Sequence, residues 1–217
     1  MITFYDFAST STGLVAHALS RVVVQGLENL PRSGPAIVAP NHLNIADPPI
    51  LGAFLPRKIH FMVKQEAWDN AFMGLLSRWF DAFPVRRGEA DLTAYRYALK
   101  VLSEGNVLGI FPEGHRSRDG RLHPGQPGAI ILAQRSGAPI IPVGIAGVSE
   151  VLSVPGILQR RAIRIQVGEP YYPPRGGRDQ IVALTADLMT RIAALLPPER
   201  GLAESSPPVD RLQRQIE

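Results

Sequence analysis

The sequence predicts an α/β fold: a single layered domain with a mixed central sheet flanked by helices. The first observation behind this prediction is that short apolar runs alternate with helix-length segments along most of the chain. The second is that each run is short and almost purely apolar, which is typical of a strand buried on both faces. A chain of 217 residues, 45% of them hydrophobic, is long enough to bury one core.

The predicted elements follow one another in a regular order. The predicted strands lie at residues 22–24, 36–39, 59–63, 107–111, 140–145 and 163–167, with a further short strand before Arg86. The predicted helices lie at residues 48–55, 70–80, 91–104, 126–136 and 180–196. The alternation ends near Leu196, so the predicted domain covers residues 1–196 and the proline-containing residues 197–217 form a flexible tail.

Residues 1–20 predict an N-terminal helix with an apolar stripe. This helix either packs on the core or lies in a membrane interface, and packing is the favoured interpretation because its polar face lacks lysines. The uncharged residues 7–20 are only 14 in number, whereas a spanning helix needs about 20. We therefore expect a peripheral protein on the cytoplasmic side of a membrane, without a transmembrane segment.

The charge pattern favours an anionic partner. The chain has 23 basic and 19 acidic residues, with the basic excess in its middle and an acidic end. A phosphorylated ligand or an anionic membrane surface would suit this pattern. Nucleic acid is not expected, because no helix-turn-helix, RNA-recognition or zinc pattern is present. The absence of cysteine excludes disulfides, thiolate metal sites and cysteine nucleophiles, and no metal site is predicted.

The first motif with chemical potential directly follows the strand at residues 36–39. His42 and Asp47 are spaced so that the carboxylate can reach back to the imidazole Nδ1. Such a contact leaves Nε2 free to accept a proton, as in a general base. The alternative is that Asp47 caps a helix with Pro48 in its first turn, and that Asn41 and His42 are loop residues.

Three further motifs carry polar or turn-forming residues. Glu113, Gly114 and Arg116 follow the strand near residue 107 and form either a compact polar site or an ion-paired surface turn. Arg86 and Arg87 follow another short strand, and residues 138–143 read Ala-Pro-Ile-Ile-Pro-Val.

In combination, NHxxxxD, FPVxRG, FPEGxRS and PIIPV resemble the glycerolipid acyltransferase family over roughly residues 21–170. Its best-known members are the 1-acylglycerol-3-phosphate acyltransferases. The resemblance implies that family's fold and the transfer of a fatty acyl group from a thioester, acyl-CoA or acyl carrier protein. The implied acceptor is the free hydroxyl of a lysophospholipid, foremost 1-acylglycerol 3-phosphate, giving phosphatidate. No cofactor beyond the donor is implied.

The resemblance also implies a role for each matching residue. His42 would be the general base and Asp47 would orient it. Arg87 would bind the acceptor phosphate, with Lys64 near it.

The remaining matches belong to the third and fourth motifs. Glu113, Gly114 and Arg116 would complete the acceptor site. Pro142 would belong to the motif that is usually tied to the acyl donor.

Two departures leave the acceptor open. The family usually has Thr where His115 stands and often Asp where Arg86 stands, so both changes can add positive charge. Glycerol 3-phosphate or a lyso-aminolipid is therefore an alternative acceptor, and a non-catalytic lipid-binding protein is the alternative of another class. The apolar residues 68–83 would either line an acyl tunnel or be core.

Overall fold

The computed structural model describes residues 3–86, 91–153, 155–156 and 159–202. Within these residues the strands are β1 (Arg21–Gln25), β2 (Ala36–Pro40), β3 (Ile59–Lys64), β4 (Phe83–Val85), β5 (Val107–Gly109), β6 (Ile140–Ala146) and β7 (Ala162–Val167). The helices are α1 (Phe4–Leu19), α2 (Asp47–Phe54), α3 (Gln65–Asp69), α4 (Ala71–Trp79), α5 (Leu92–Ser103), α6 (Gly128–Ser136), α7 (Val148–Val151) and α8 (Arg178–Ala193).

The seven described strands form one mixed sheet in the order β1-β7-β6-β2-β5-β3-β4. Strands β4, β3, β5, β2 and β6 run parallel, β7 is antiparallel to β6, and β1 is parallel to β7. The predicted mixed sheet flanked by helices is confirmed. Because β2 and β5 are parallel neighbours, the loops that follow their carboxyl ends meet at one edge of the sheet.

The core lies on both faces of the central strands. The first four residues of β2 are completely buried, and they alternate between two clusters of apolar side chains. Ile37 and Ala39 pack with α5, α6 and α8, whereas Ala36 and Val38 pack with α2 and one end of α1. Burial on both faces explains why the sequence of this strand is continuously apolar.

The structure corrects several predicted boundaries. Strand β5 ends at Gly109, whereas the predicted strand continued to residue 111, although the Ile110 N–H still donates to the Val38 carbonyl of β2. The short helices α3 and α7 were not predicted. Residues 197–202 still contact the body, since Arg200 forms an ion pair with Glu150 and Leu202 bridges to Leu122. The folded unit therefore extends beyond the predicted boundary at residue 196, and residues 203–217 lie outside the described residues.

Helix α1 packs on the protein, as the favoured interpretation predicts, and its membrane contact stays a prediction. Its inner face packs on the protein, and the Tyr5 hydroxyl accepts a hydrogen bond from the Ile59 N–H at 3.1 Å. The large apolar side chains of its outer face are exposed, namely Phe4, Phe7, Leu14 and Val15. Within the described residues, no helix combines the length and apolarity required to cross a bilayer.

Candidate active site

The contact between His42 and Asp47 that the first motif predicts is present, and it is largely buried. Nδ1 of His42 lies 3.0 Å from Oδ2 of Asp47, whose side chain is 1% exposed. The same oxygen accepts hydrogen bonds from the backbone N–H groups of Leu43 and Asn44, both at 2.7 Å. Because the carboxylate accepts a hydrogen bond from Nδ1–H, Nε2 of His42 is the ring nitrogen with a free electron pair.

Asp47 does not cap helix α2. The N-cap position belongs to Ala46, and the Asp47 carboxylate bonds to the loop before the helix. The interpretation of Asp47 as a helix cap is therefore wrong, and its position at the start of α2 places it under the His42 ring. Proline at the next two positions suits this helix start.

Aromatic stacking fixes the plane of the His42 ring. Phe111 stacks on it with the ring centroids 3.9 Å apart, and Phe61 of β3 lies 5.6 Å from Phe111 on a nearly parallel plane. Gly109 of β5 makes room for this stack, because a Cβ atom there would lie 2.3 Å from a Phe61 ring carbon. The stack and the Asp47 contact together define the direction in which Nε2 points.

Asn41 holds the end of β2 against β6. Its side chain is buried, donates to the Ile145 carbonyl at 3.0 Å and accepts from the Ile145 N–H at 2.8 Å. The side chain thus continues the pairing of β2 with β6 past the end of the strand. The interpretation of Asn41 as a mere loop residue is therefore wrong, because its side chain positions His42.

Glu113 is buried behind His42 and bonds to the backbone of the site. Its side chain is 1% exposed, and its two oxygens accept from the backbone N–H groups of His42 at 2.9 Å and His123 at 3.1 Å. The His42 carbonyl in turn accepts from the Ser117 N–H at 2.8 Å. Burial raises the pKa of the Glu113 carboxyl to about 7, against the opposing effect of these backbone donors.

The third motif is therefore not an ion-paired surface turn. Glu113 bonds to the backbone and not to a guanidinium group. Gly114 turns the chain with a φ of +71°, a conformation that side-chain-bearing residues rarely adopt. Arg116 follows on the surface, and none of the described acidic residues pairs with it or with Arg118.

A cleft of about 860 Å³ opens beside His42. One part of its wall is apolar and is supplied mainly by β3 and by the helix α4 region, with Met62, Val63, Met73, Leu76 and Phe80. Another part is polar and comes from the loop after β5, with His115, Arg116, Ser117, Arg118, Asp119 and His123. The cleft beside His42 thus offers apolar and cationic side chains to one ligand.

The cleft brings together part of the predicted site. His42, Lys64 and Arg116 all line it, whereas Glu113 supports it from behind. Pro142 is buried within β6, paired with Ala39, and does not line the cleft. Arg87 lies outside the described residues.

Residues 68–83 contribute to both a cleft and the core. Met73 and Leu76 line the cleft, while Phe80 lines it and also packs against Tyr5 with ring centroids 5.7 Å apart. The apolar pattern of this segment does not distinguish the two roles, because both require a continuous apolar face.

Sequence reasoning missed the role of His123. The motifs above do not include this residue, whereas the structure places it in the cleft with Nε2 2.9 Å from Oδ1 of Asp119. The available signal was the short spacing of Asp119 and His123 in the sequence.

Comparisons with known proteins agree on one family. A sequence model of the acyltransferase family, described simply as Acyltransferase, matches residues 21–146, which is more than half of the chain. The chain is 29% identical over 196 residues to the 1-acyl-sn-glycerol-3-phosphate acyltransferase of Bacillus subtilis (strain 168), an alignment that covers 88% of this chain and 96% of the relative.

Two further similarities extend this result. The chloroplastic 1-acyl-sn-glycerol-3-phosphate acyltransferase BAT2 of Brassica napus is 28% identical, over 69% of this chain and only 44% of its own length. The crystal structure of the 1-acyl-sn-glycerophosphate acyltransferase from Thermotoga maritima superposes with a TM-score of 0.70 at 22% identity. That superposition covers 88% of this chain and 78% of the other, and it shows a shared fold.

Proposed function

This chain belongs to the acyltransferase family, and we propose that it transfers a fatty acyl group from a thioester to the free hydroxyl of 1-acylglycerol 3-phosphate, giving phosphatidate. The observation that carries the reaction type is the buried His42–Asp47 pair beside a cleft that is part apolar and part cationic. The names of the Bacillus and Brassica relatives support this acceptor.

In the proposed reaction, His42 acts as the general base. The acceptor hydroxyl attacks the thioester carbonyl carbon while Nε2 takes its proton, and Asp47 stabilises the imidazolium that results. Collapse of the tetrahedral intermediate breaks the carbon–sulfur bond, and the imidazolium returns the proton to the leaving thiolate. The products are the new ester and a free thiol, so proton and electron pairs balance. Proton transfer by a positioned imidazole contributes roughly 10²–10⁴-fold.

The cationic part of the cleft would hold the acceptor phosphate. Lys64 ends strand β3 and Arg116 follows the third motif, and both side chains line the cleft near His42. Guanidinium binds phosphate through two parallel hydrogen bonds, which a lysine cannot form. Arg87 remains a proposed third member of this phosphate site.

The apolar part of the cleft would hold a fatty acyl chain. Met73, Leu76 and Phe80 form a wall that presents no charge to a ligand. An acyl chain placed there would carry its carbonyl toward His42, which lines the same cleft. Acyl-CoA and acyl carrier protein both deliver such a chain as a thioester.

We also propose that the outer face of α1 binds a membrane surface rich in anionic lipid. Phe4 and Leu14 are 73% and 68% exposed, and Phe72 on the neighbouring α4 is 73% exposed. Phe7 contacts Trp79 of α4 at 6.3 Å between ring centroids, so α1 and α4 present adjacent apolar surfaces. Since α4 also lines the cleft, this surface would bring a lipid acceptor close to the site.

The acceptor is tested with a thioester-release assay. The protein is given acyl-CoA and, in separate reactions, 1-acylglycerol 3-phosphate, glycerol 3-phosphate, 1-acylglycerol or a lyso-aminolipid. We expect thiol release and a diacyl product with the first acceptor above all. Preference for another acceptor would reject 1-acylglycerol 3-phosphate as the substrate. Release with none of them, with acyl-CoA and also with acyl carrier protein as the donor, would favour a lipid-binding protein.

A further inference from the structure

A second histidine–aspartate pair lies in the same cleft as His42. Oδ1 of Asp119 lies 2.9 Å from Nε2 of His123 and also accepts from the Ser117 hydroxyl at 2.8 Å and the Arg121 N–H at 3.1 Å. These donors fix the orientation of the Asp119 carboxylate, and the carboxylate fixes the orientation of the His123 ring. The acyl transfer described above assigns no role to this pair.

Glu113 joins the second pair to the first. Its two oxygens accept from the backbone of His42 and from the backbone of His123, so one buried carboxylate bridges both residues. The Ser117 N–H, from the same loop as Asp119, donates to the His42 carbonyl at 2.8 Å. The backbone of His123 is therefore tied to the backbone of His42 through one side chain.

His115 adds a second imidazole at the polar end of the cleft. Its ring centroid lies 5.8 Å from that of His123, and both residues line the cleft. Nδ1 of His115 lies 3.4 Å from the Arg116 carbonyl oxygen, whereas no described residue forms a hydrogen bond with Nε2 of His115 or Nδ1 of His123. The two rings thus offer one nitrogen each to a ligand.

The charges around these rings suit a phosphate monoester. The charged groups near them in the cleft are the guanidinium groups of Arg116 and Arg118 and the carboxylate of Asp119, with Glu113 buried behind. Oδ1 of Asp119 already accepts three hydrogen bonds, so this oxygen is turned toward the protein. A phosphate dianion stabilises the protonated form of a neighbouring imidazole and accepts its N–H.

The covalent structure of the acceptor requires its phosphate to lie close to His42. In 1-acylglycerol 3-phosphate the phosphate is attached to the carbon next to the one that bears the reacting hydroxyl. When that hydroxyl contacts Nε2 of His42, the phosphate must lie close by. The loop from His115 to His123 is tied to the His42 backbone through Glu113 and Ser117, and its cationic side chains line the same cleft as His42.

We propose that His115 and His123 bind the acceptor phosphate, with Asp119 as the residue that positions His123. The inference rests on the proposed function, since it names the part of the site that selects a phosphate-bearing acceptor. It makes the two imidazoles partners of Arg116 in recognition of the monoester.

The first experiment measures kcat and KM for the acceptor and for the donor. We expect His115→Ala and His123→Leu each to raise KM for 1-acylglycerol 3-phosphate at least tenfold, with kcat and the KM for acyl-CoA unchanged. Asp119→Asn should raise the acceptor KM less than His123→Leu. His17→Ala, an exposed histidine on α1, is the control and should change neither constant.

Two kinetic outcomes would overturn the inference. An unchanged acceptor KM in both histidine variants, at normal melting temperature, removes them from phosphate recognition. A rise in the KM for acyl-CoA without a rise for the acceptor assigns the phosphate contact to the donor.

The second experiment is independent of catalysis. Glycerol 3-phosphate is titrated into the protein and followed by ³¹P NMR. We expect saturable binding by the wild type and loss of at least tenfold in affinity in the double variant His115→Ala/His123→Leu. Equal binding by both proteins overturns the inference even if acyl transfer occurs. Loss of binding in the double variant, together with a wild type that acylates no phosphate-bearing acceptor, refutes the proposed function and leaves the phosphate site standing.

Discussion

Replacement of Glu113 by glutamine should remove a pH dependence of stability. Burial raises the pKa of this carboxyl to about 7 in the folded protein, whereas its ordinary value is 4.5. Between these two values the folded protein keeps a proton that the unfolded chain has lost. The free energy of unfolding therefore falls as the pH rises through this window.

The size of the effect follows from the two pKa values. A difference of one pKa unit corresponds to about 1.4 kcal/mol, so Glu113 costs the folded state about 3 kcal/mol once the pH exceeds 7. Glutamine does not titrate. It also accepts only one of the two backbone N–H groups that Glu113 bonds, which adds an offset that does not depend on pH.

The assay is urea unfolding of the wild type and of Glu113→Gln at intervals from pH 5 to pH 8. We expect the difference in unfolding free energy, wild type minus variant, to decrease by roughly 2–3 kcal/mol over this range. Glu104→Gln, a change at an exposed glutamate, is the control and should run parallel to the wild type. Parallel curves for Glu113→Gln as well would refute the argument and mean that the backbone donors offset the effect of burial on the pKa.

Three further outcomes are expected. Asp47→Asn should lower kcat roughly 10- to 150-fold with little change in KM, because the imidazolium loses its charged partner. The amide oxygen can still accept the hydrogen bonds of the loop N–H groups. An unchanged kcat would contradict the role of Asp47. Gly109→Ala should lower the free energy of unfolding by about 1–3 kcal/mol, because the added Cβ would overlap Phe61. Gly13→Ala is the control and should not lower it, because the space around Gly13 is open. Equal melting temperatures of Gly109→Ala and the wild type would contradict the tight packing. The double variant Phe4→Ser/Phe7→Ser should lose sedimentation with anionic vesicles at low salt, and retained sedimentation would contradict the membrane role of α1.

The fold was predictable because its strands are buried on both faces. Continuous apolar runs such as residues 36–39 and 140–145 have one simple structural explanation, a central strand, and the structure places both there. The short helix α7 was not predicted, because four residues carry too little periodicity to show a pattern. The end of β5 was misplaced because residues 110–111, which follow the strand, are also apolar and buried.

The His42–Asp47 contact was predictable because the two residues are close in sequence, and a single turn suffices to bring them together. The role of Asn41 was not predictable, since its partner Ile145 is more than one hundred residues away. The same holds for the bridge from Glu113 to the backbone of His42, which depends on the adjacency of β2 and β5. Long-range pairing of strands decides these contacts, and no local pattern records it.

The His42→Ala variant gives the most direct test of the proposed chemistry. Rates of thiol release are measured with acyl-CoA and 1-acylglycerol 3-phosphate for this variant and the wild type, with melting temperatures recorded for both. Because the backbone of residue 42 keeps its bonds to Glu113 and Ser117, the variant should fold normally. We expect its kcat to fall by roughly 10²–10⁴-fold or more. Near-wild-type turnover at an unchanged melting temperature would contradict His42 as the base and with it the proposed mechanism.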